Sequence, residues 1–233
     1  MIEESYGTHD QQTLTITSSS SVNWVAYIHG GAWRDPFMTK TMGYSLLSHV
    51  PETWSGLSID YRLSPAIQHP AHIDDVMTAL AYVVKKYKVE KVILVGHSAG
   101  ACLALQALAR YSTDPPSFEI SAIVGVEGIY DFAGLVEEYP DYLSFINPAF
   151  GGQSLWAAAS PAAFDWSSLS LPYSPKIKIV QSVQDELLTM AQADSICQSL
   201  QSWNPDLIKI EGGSHNETVD SIALRDIINS LCT

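Results

Sequence analysis

Apolar residues along this chain form short runs that alternate with longer segments of helical periodicity. Seven runs of four to seven residues, several rich in β-branched side chains, predict buried or half-buried strands at 12–17, 22–28, 57–60, 92–95, 121–126, 177–183 and 207–210. A serine cluster at 18–21 predicts a loop between the first two strands.

Helical spacing of apolar residues appears between these strands. The segment 71–87 places Ile73, Val76 and Leu80 on one face, which predicts an amphipathic helix. The segment 101–111 is apolar on nearly every side and therefore predicts a helix inside the protein. Amphipathic patterns later in the chain predict two more helices, at 193–203 and 219–231.

The alternation of strands and helices predicts an α/β fold with a mostly parallel central sheet and helices on both faces. We expect one domain spanning 1–233. The segment 130–175 interrupts the alternation, because it is rich in Pro, Tyr, Phe and Trp and has no clean period. Ligands of such sheets bind at the carboxyl ends of the strands, so we predict a small lid there; the alternative is an irregular surface excursion.

Charge and length limit the classes of partner. The net charge is −13, which argues against nucleic acid and anionic membranes as partners. No apolar run approaches the roughly 18 residues of a membrane span, and no signal-peptide pattern is visible. We expect a cytoplasmic protein with a small-molecule substrate, as a monomer or a homodimer. The three cysteines lack metal-ligand spacing, and we expect no metal and no cofactor.

The segment 91–111 carries the clearest chemical signal. Its Gly-His-Ser-Ala-Gly sequence at 96–100 lies between a predicted strand and a predicted buried helix, the context of a nucleophile elbow. Gly96 and Gly100 let strand and helix approach without a Cβ clash. We predict that Ser98 is a nucleophile; the alternative is a tight turn with an incidental serine.

A serine nucleophile needs a base and a carboxylate that orients the base. In proteins with this elbow the acid and then the histidine follow the serine along the chain. His215 is the only histidine after Ser98 and lies in a glycine-rich loop after the last predicted strand. Asp185, just past the sixth predicted strand, is the predicted acid, with Glu186 second and Asp131 third; Asp185 could instead cap a helix.

Acyl transfer also requires an oxyanion hole. We predict one donor at the N–H of Ala99 and others at Gly30 and Gly31, because two glycines after a strand let backbone N–H groups converge. His29 precedes these glycines and is expected to hold the loop by hydrogen bonding. His97, inside the elbow, is expected to be structural.

Three segments resemble the hormone-sensitive-lipase-like branch of the α/β-hydrolases: HGGAW at 29–33, YRLSP at 61–65 and GHSAG at 96–100. Further segments narrow the resemblance to the fungal kynurenine formamidase (arylformamidase) family, at 127–131, 138–140, 185–189 and 215–216. The resemblance covers the chain from about residue 27 onwards and implies an α/β-hydrolase fold. It also implies the triad Ser98, Asp185 and His215, the same residues that chain order indicates.

The resemblance implies hydrolysis of N-formyl-L-kynurenine to L-kynurenine and formate, a step of tryptophan catabolism. Trp33 and Tyr130 are then expected to form the aromatic pocket, with Tyr139, Tyr142 and Phe145 as further candidates. Asn216 is the expected anchor of the amino-acid head, with Arg34 and Arg62 as alternatives. Two other functions stay open, a general short-chain carboxylesterase and a non-catalytic binding module with a hydrolase fold.

Overall fold

The computed structural model describes residues 1–18 and 21–233, in which eight strands form one sheet. In chain order the strands are β1 (Ile2–Ser5), β2 (Thr13–Ser18), β3 (Asn23–Ile28), β4 (Ser55–Ile59), β5 (Lys91–His97), β6 (Glu119–Val126), β7 (Lys176–Ser182) and β8 (Asp206–Ile210). Their order across the sheet is β1-β2-β4-β3-β5-β6-β7-β8. The pairs β1–β2 and β2–β4 are antiparallel and all other pairs are parallel. The predicted mostly parallel sheet is confirmed.

Strand β1 is the strand that the sequence pattern does not predict. Its four residues include two glutamates, and it pairs at the sheet edge with Ile2 opposite Ile16. An edge strand needs no continuous apolar face, so hydrophobic periodicity misses it. The other strands differ from the predicted bounds by one or two residues. Ser19 and Ser20 of the predicted serine loop lie outside the described residues.

Helices cover both faces of the sheet, as predicted. They are α1 (Tyr44–Leu47), α2 (Ala71–Lys86), α3 (Ala99–Thr113), α4 (Phe132–Glu138), α5 (Leu143–Phe150), α6 (Met190–Ser199) and α7 (Ile222–Leu231). Apolar side chains of α2, α3 and α6 join the core on one face, and those of α1 and α7 join the core on the other. Helix α3 is buried on nearly every side.

Capping side chains set the starts of the last two helices, which differ from the predicted bounds. Helix α6 begins at Met190 because the Thr189 side chain accepts a hydrogen bond from the Ala191 N–H. Helix α7 begins at Ile222 because the Ser221 side chain accepts from the Leu224 N–H. Amphipathic spacing alone does not specify these caps.

The insertion between β6 and β7 contains more helix than its composition predicts. Helices α4 and α5 are followed by short 3-10 helices at Gln153–Ala158, Pro161–Ala163 and Trp166–Ser168. Each of these elements is short, which explains why no clean period appears in the sequence. Trp156 and Trp166 are buried within them, so the insertion has its own apolar packing against the main core.

The parallel strands bring several chemically active residues to one edge of the sheet. His29 follows β3, Ser98 follows β5, Glu127 follows β6, Asp185 follows β7 and His215 follows β8. Because these strands are parallel, their carboxyl ends lie side by side. Among the helices of the described residues, none combines the length and hydropathy that crossing a bilayer requires.

Candidate active site

Ser98 occupies a strained turn between β5 and α3. Its backbone has φ 53° and ψ −118°, outside the regions that non-glycine residues favour. A Cβ at Gly96 would lie 2.2 Å from the Gly100 carbonyl oxygen, and one at Gly100 would lie 2.1 Å from the Ile28 carbonyl oxygen. Only glycine fits at either position, so the predicted elbow geometry is present around Ser98.

The loop after β3 lies directly against this serine. A Cβ at Gly30 would lie 2.8 Å from the Ser98 Cβ. Gly31 has φ 92°, a conformation that favours glycine, and it lines the same cavity as Ser98. Ala99 is the first residue of α3, where an N–H has no acceptor within the helix. The structure therefore brings Gly30, Gly31 and Ala99 together around Ser98.

His29 and its neighbours hold the glycine loop in place. The His29 ring stacks on Tyr61 with 4.3 Å between ring centroids, and its Nδ1 contacts the Gly30 carbonyl oxygen at 2.8 Å. The Tyr61 hydroxyl donates to the His29 carbonyl oxygen at 3.0 Å. Burial lowers the pKa of His29, although the nearby Asp60 opposes this. These contacts agree with the expected loop-holding role.

Asp185 and His215 meet through a hydrogen bond of 2.8 Å between Oδ2 and Nδ1. The Asp185 side chain is completely buried and the His215 side chain is 4% exposed. The other carboxylate oxygen of Asp185 accepts from the N–H groups of Leu187 and Leu188, at 2.8 and 3.0 Å. The pair is thus fixed in orientation, and His215 Nδ1 is held as the protonated nitrogen facing the carboxylate.

Hydrogen bonding keeps Asp185 ionised in this buried position. Burial alone would raise its pKa, but the hydrogen bond from His215 and further donors lower the pKa to about 2. The two alternative acids have other partners. Glu186 accepts from the backbone N–H of His215 at 2.9 Å, and Asp131 caps α4 through the Gly134 N–H at 3.0 Å. Of the three candidates, only Asp185 contacts the imidazole.

His97 fixes the loop that carries His215. Its Nε2 lies 3.0 Å from the His215 carbonyl oxygen, so Nε2–H is the donor. Burial and the neighbouring His215 lower the pKa of His97 to about 3. A neutral, fully buried imidazole in this place agrees with the expected structural role.

Glu127 is a buried carboxyl group that the sequence reasoning did not single out as a site residue. It is completely buried, and together with Asp185 and His215 it forms a group whose polar atoms lie within 4.8 Å of one another. Two carboxyl groups and one imidazole are ligand types that a metal site uses, but Asp185 and His215 hydrogen-bond each other here. The position of Glu127 directly after a buried strand was the available sequence signal.

A cavity of about 290 Å³ opens over Ser98 and His215. Its apolar wall consists of Met38, Ile129, Tyr142, Phe145, Leu187 and Leu188. Its polar rim contains Arg34, Asp35 and Asn216. Asn216 is therefore near the expected position. Arg62 lies elsewhere, in an ion pair with the buried Asp75 at 2.8 Å.

Trp33 and Tyr130 do not line this cavity, which corrects the expectation that they contact the substrate. Both side chains are completely buried. Trp33 has φ 56°, and this turn directs its ring into the core against Phe132 and Phe150, at 5.7 and 4.7 Å between centroids. Tyr130 packs against Gly125 and Gly128, where any side chain would collide with its ring. Tyr142 and Phe145 supply the aromatic surface instead.

Within the described residues, Ser98 Oγ and the His215 ring line one cavity but form no hydrogen bond with each other. Such hydrogen bonds are often long in the absence of substrate and tighten when it binds. The arrangement supplies a hydroxyl, an imidazole oriented by a carboxylate, and a glycine loop and helix start beside the hydroxyl. This combination can perform acyl transfer to serine.

Comparisons with known proteins agree with this geometry. Residues 13–200 match the protein family described as BD-FAE. A kynurenine formamidase from Meyerozyma guilliermondii is 42% identical over 223 residues, which cover 91% of this chain and 86% of that protein. A kynurenine formamidase from Scheffersomyces stipitis is 31% identical over 230 residues, which cover 84% of this chain and 85% of that protein.

Among solved structures, Esterase B from Lactobacillus rhamnosis superposes with a TM-score of 0.77 over 99% of this chain and 84% of its own. The two sequences are 18% identical, so this likeness concerns the fold alone. It identifies the fold as that of the α/β-hydrolases, as the sequence motifs predict. Together with the sequence relatives, this shows that the chain belongs to the fungal kynurenine formamidase family of α/β-hydrolases.

Proposed function

We propose that this protein hydrolyses N-formyl-L-kynurenine to L-kynurenine and formate through Ser98, His215 and Asp185. The observation that carries the proposal is the 2.8 Å Asp185–His215 hydrogen bond in the same cavity as a serine on a strained elbow. The 42% identity to a kynurenine formamidase supports the choice of substrate.

In the first half of the proposed reaction, His215 Nε2 takes the proton of Ser98 Oγ as the oxygen attacks the formyl carbon. The carbonyl oxygen becomes an anion that the N–H groups of Gly30, Gly31 and Ala99 stabilise. The protonated His215 then donates to the aryl nitrogen, the C–N bond breaks and L-kynurenine leaves. The formyl group remains as an ester on Ser98.

In the second half, His215 takes a proton from water, and the resulting hydroxide attacks the formyl ester. Collapse of the second tetrahedral intermediate returns the proton to Ser98 and releases formate. Asp185 stays ionised throughout, because its hydrogen bonds hold its pKa far below neutral despite its burial. Its negative charge stabilises the imidazolium form of His215 in both halves.

The cavity suits a substrate with a minimal acyl group and a flat leaving group. The formyl carbon carries only hydrogen and needs almost no space beside Ser98. The aryl ring fits the apolar wall of Tyr142, Phe145 and Leu187, and Arg34 at the rim offers a cation for the substrate carboxylate. Asn216 can donate to the same head group.

We also infer that the insertion at 130–175 acts as a lid. Two contacts connect it to loops around the site. Arg34 Nη1 donates to the Ser144 carbonyl oxygen at 3.0 Å, and the Tyr142 hydroxyl donates to the Leu187 carbonyl oxygen at 2.9 Å. Tyr142 and Phe145 of the insertion line the cavity, so opening of this segment would expose Ser98.

The proposed substrate is tested by comparing kcat/KM for N-formyl-L-kynurenine and for p-nitrophenyl acetate on the purified protein. We expect the formamide to be preferred, because only the aryl leaving group uses the apolar wall and the cation at the rim. A large preference for the ester would indicate a general short-chain carboxylesterase. No turnover of either compound would indicate a binding module.

Substitution of Trp33 tests its role behind the glycine loop. We expect Trp33→Phe to lower kcat/KM for the aryl formamide and for the small ester by the same factor, because Trp33 is completely buried and touches neither substrate. Trp33→Ala would empty a core position and destabilise the fold by about 3–5 kcal/mol, so the smaller change is used.

Phe145→Leu is the matched comparison for Trp33, because Phe145 packs against Trp33 and also lines the cavity. An aromatic contact is worth about 0.5–1.5 kcal/mol beyond area burial, so we expect up to about a tenfold loss in kcat/KM confined to the aryl substrate. If Trp33→Phe lowered kcat/KM for the aryl substrate alone, Trp33 would be a pocket residue after all.

A further inference from the structure

Glu127 is a completely buried carboxyl group at the end of β6 that the proposed reaction does not use. Its Oε1 accepts from the Ser182 N–H at 2.8 Å, across the neighbouring strand β7. Its polar atoms and those of Asp185 and His215 lie within 4.8 Å of one another. Glu127 therefore lies beside the Asp185–His215 pair, outside the lining of the cavity.

The second oxygen of Glu127 is unpaired within the described part of the chain. Oε2 is buried and receives no hydrogen bond from any described residue. The neighbouring Asp185 carboxylate is ionised and can only accept. Two carboxyl groups side by side in a buried place share a proton, because both cannot ionise without a large Coulomb penalty. A proton on Glu127 Oε2 gives that atom a role as donor towards Asp185.

The surroundings of Glu127 favour its neutral form. The groups that face it are Asp185, His215, Tyr130, Thr218 and the Ser182 N–H. Burial and the neighbouring Asp185 raise the pKa of Glu127 to about 9, although the polar groups of Thr218 and Ser182 oppose the rise. No cation among these neighbours compensates a negative charge on Glu127.

The backbone of Glu127 is also strained. Its φ is 45°, in the left-handed region, and its N–H donates to the Val180 carbonyl oxygen at 2.9 Å. Non-glycine residues in this region are strained and are concentrated at functional sites. A glycine would relieve the strain, yet a carboxyl side chain is held here beside Asp185.

We propose that Glu127 is a positioning residue of this active site, which stays protonated and donates a hydrogen bond from its carboxyl group to Asp185. The bond adds to those that Asp185 accepts from Gln181 Nε2 and from two backbone N–H groups. Together they hold the carboxylate in the orientation that accepts His215 Nδ1–H. Because Glu127 is neutral, the bond stabilises the negative charge of Asp185 without placing a second negative charge beside it. A second anion would hold a proton on His215 and remove the base that Ser98 needs.

The kinetic test compares Glu127→Gln with Glu127→Leu, and it rests on the proposed hydrolase function. The Gln amide can accept from Ser182 and donate to Asp185, so we expect kcat within about threefold of wild type. Leu removes the donor to a charged acceptor, and we expect kcat to fall by roughly ten- to a hundredfold with KM unchanged, since Glu127 does not line the cavity. Equal losses of kcat in the two variants would overturn the proposal.

The stability test needs no substrate, so it separates this proposal from the proposed function. Folded wild type keeps a proton on Glu127 that the unfolded chain loses above its ordinary pKa of 4.5. Rising pH therefore favours unfolding of wild type up to about pH 9, and Glu127→Gln escapes this effect. Between pH 6 and 8 we expect the folding constant of Glu127→Gln to rise relative to wild type by up to about tenfold per pH unit.

Glu137→Gln is the matched control, because Glu137 is an exposed glutamate of α4. Its folding constant relative to wild type is expected to stay flat across the same pH range. Chemical denaturation followed by tryptophan fluorescence at several pH values provides these constants. A ratio for Glu127→Gln that is flat or falls with pH would show that Glu127 is ionised in the folded protein, and the proposal would be wrong even if the enzyme is active.

Discussion

Ser98→Ala is expected to lower kcat by roughly 10⁴- to 10⁶-fold, the range found when a serine nucleophile is removed. The hydroxyl is the proposed attacking group, and among the described residues no other serine lines the cavity. The variant should fold normally, because alanine keeps the Cβ and removes only one oxygen atom from the turn. Turnover of N-formyl-L-kynurenine and covalent labelling by a fluorophosphonate, located by mass spectrometry, measure the effect.

Ser214→Ala is the matched control for this experiment. Ser214 immediately precedes His215, but its hydroxyl donates to Glu217 at 2.8 Å, and Ser214 is not among the residues that line the cavity. We expect this variant to keep its activity within a few fold and to be labelled at Ser98. Labelling of another serine in wild type, or substantial turnover by Ser98→Ala, would contradict the assignment of the nucleophile.

The sheet and the elbow could be predicted because they depend on local patterns. A short β-branched run followed by two spaced glycines and an apolar helix is sufficient to specify the turn at Ser98. The order of residues along the chain then selects His215, because parallel strands carry successive loops to the same edge. For the acid it favours Asp185 but leaves Glu186 and Asp131 as alternatives. No distance was needed for these predictions.

The direction of a side chain near the site could not be predicted in the same way. Trp33 lies three residues after Gly30, so sequence proximity indicates the pocket. The chain takes positive φ values at Ala32 and Trp33, and the turn buries the ring between Phe132 and Phe150. Such a turn depends on the packing of the insertion at 130–175, which sequence periodicity does not describe.

Glu127 illustrates a second limit of sequence reasoning. Nothing in Val126-Glu127-Gly128 shows that the carboxyl is buried, because a charged residue after a strand is usually solvated. Its burial depends on the neighbouring strand β7, whose Ser182 N–H it binds, and on the Asp185 loop beyond. Protonation state is a property of this three-dimensional environment.

Asp185→Asn should lower kcat by roughly 10⁴-fold, the loss found when the orienting carboxylate of a triad becomes an amide. Asp185 Oδ2 now accepts from His215 Nδ1–H at 2.8 Å. An amide nitrogen at this position would donate to Nδ1, so the ring proton would move to Nε2. Nε2 is the nitrogen that must take the Ser98 proton, and once protonated it cannot act as a base. KM should change little, because the Asp185 side chain is completely buried and out of contact with substrate.

Glu186→Gln is the control, because it removes the charge of the neighbouring carboxylate and leaves the Asp185–His215 hydrogen bond in place. Glu186 is the next residue, it is exposed, and it accepts from the His215 backbone N–H rather than from the ring. The Gln carbonyl oxygen can still accept that bond, so kcat should change by less than about tenfold. If Glu186→Gln were the damaging substitution and Asp185→Asn the mild one, the hydrogen bond to Nδ1 would not control the tautomer of His215. The base would then depend on the loop position that Glu186 holds.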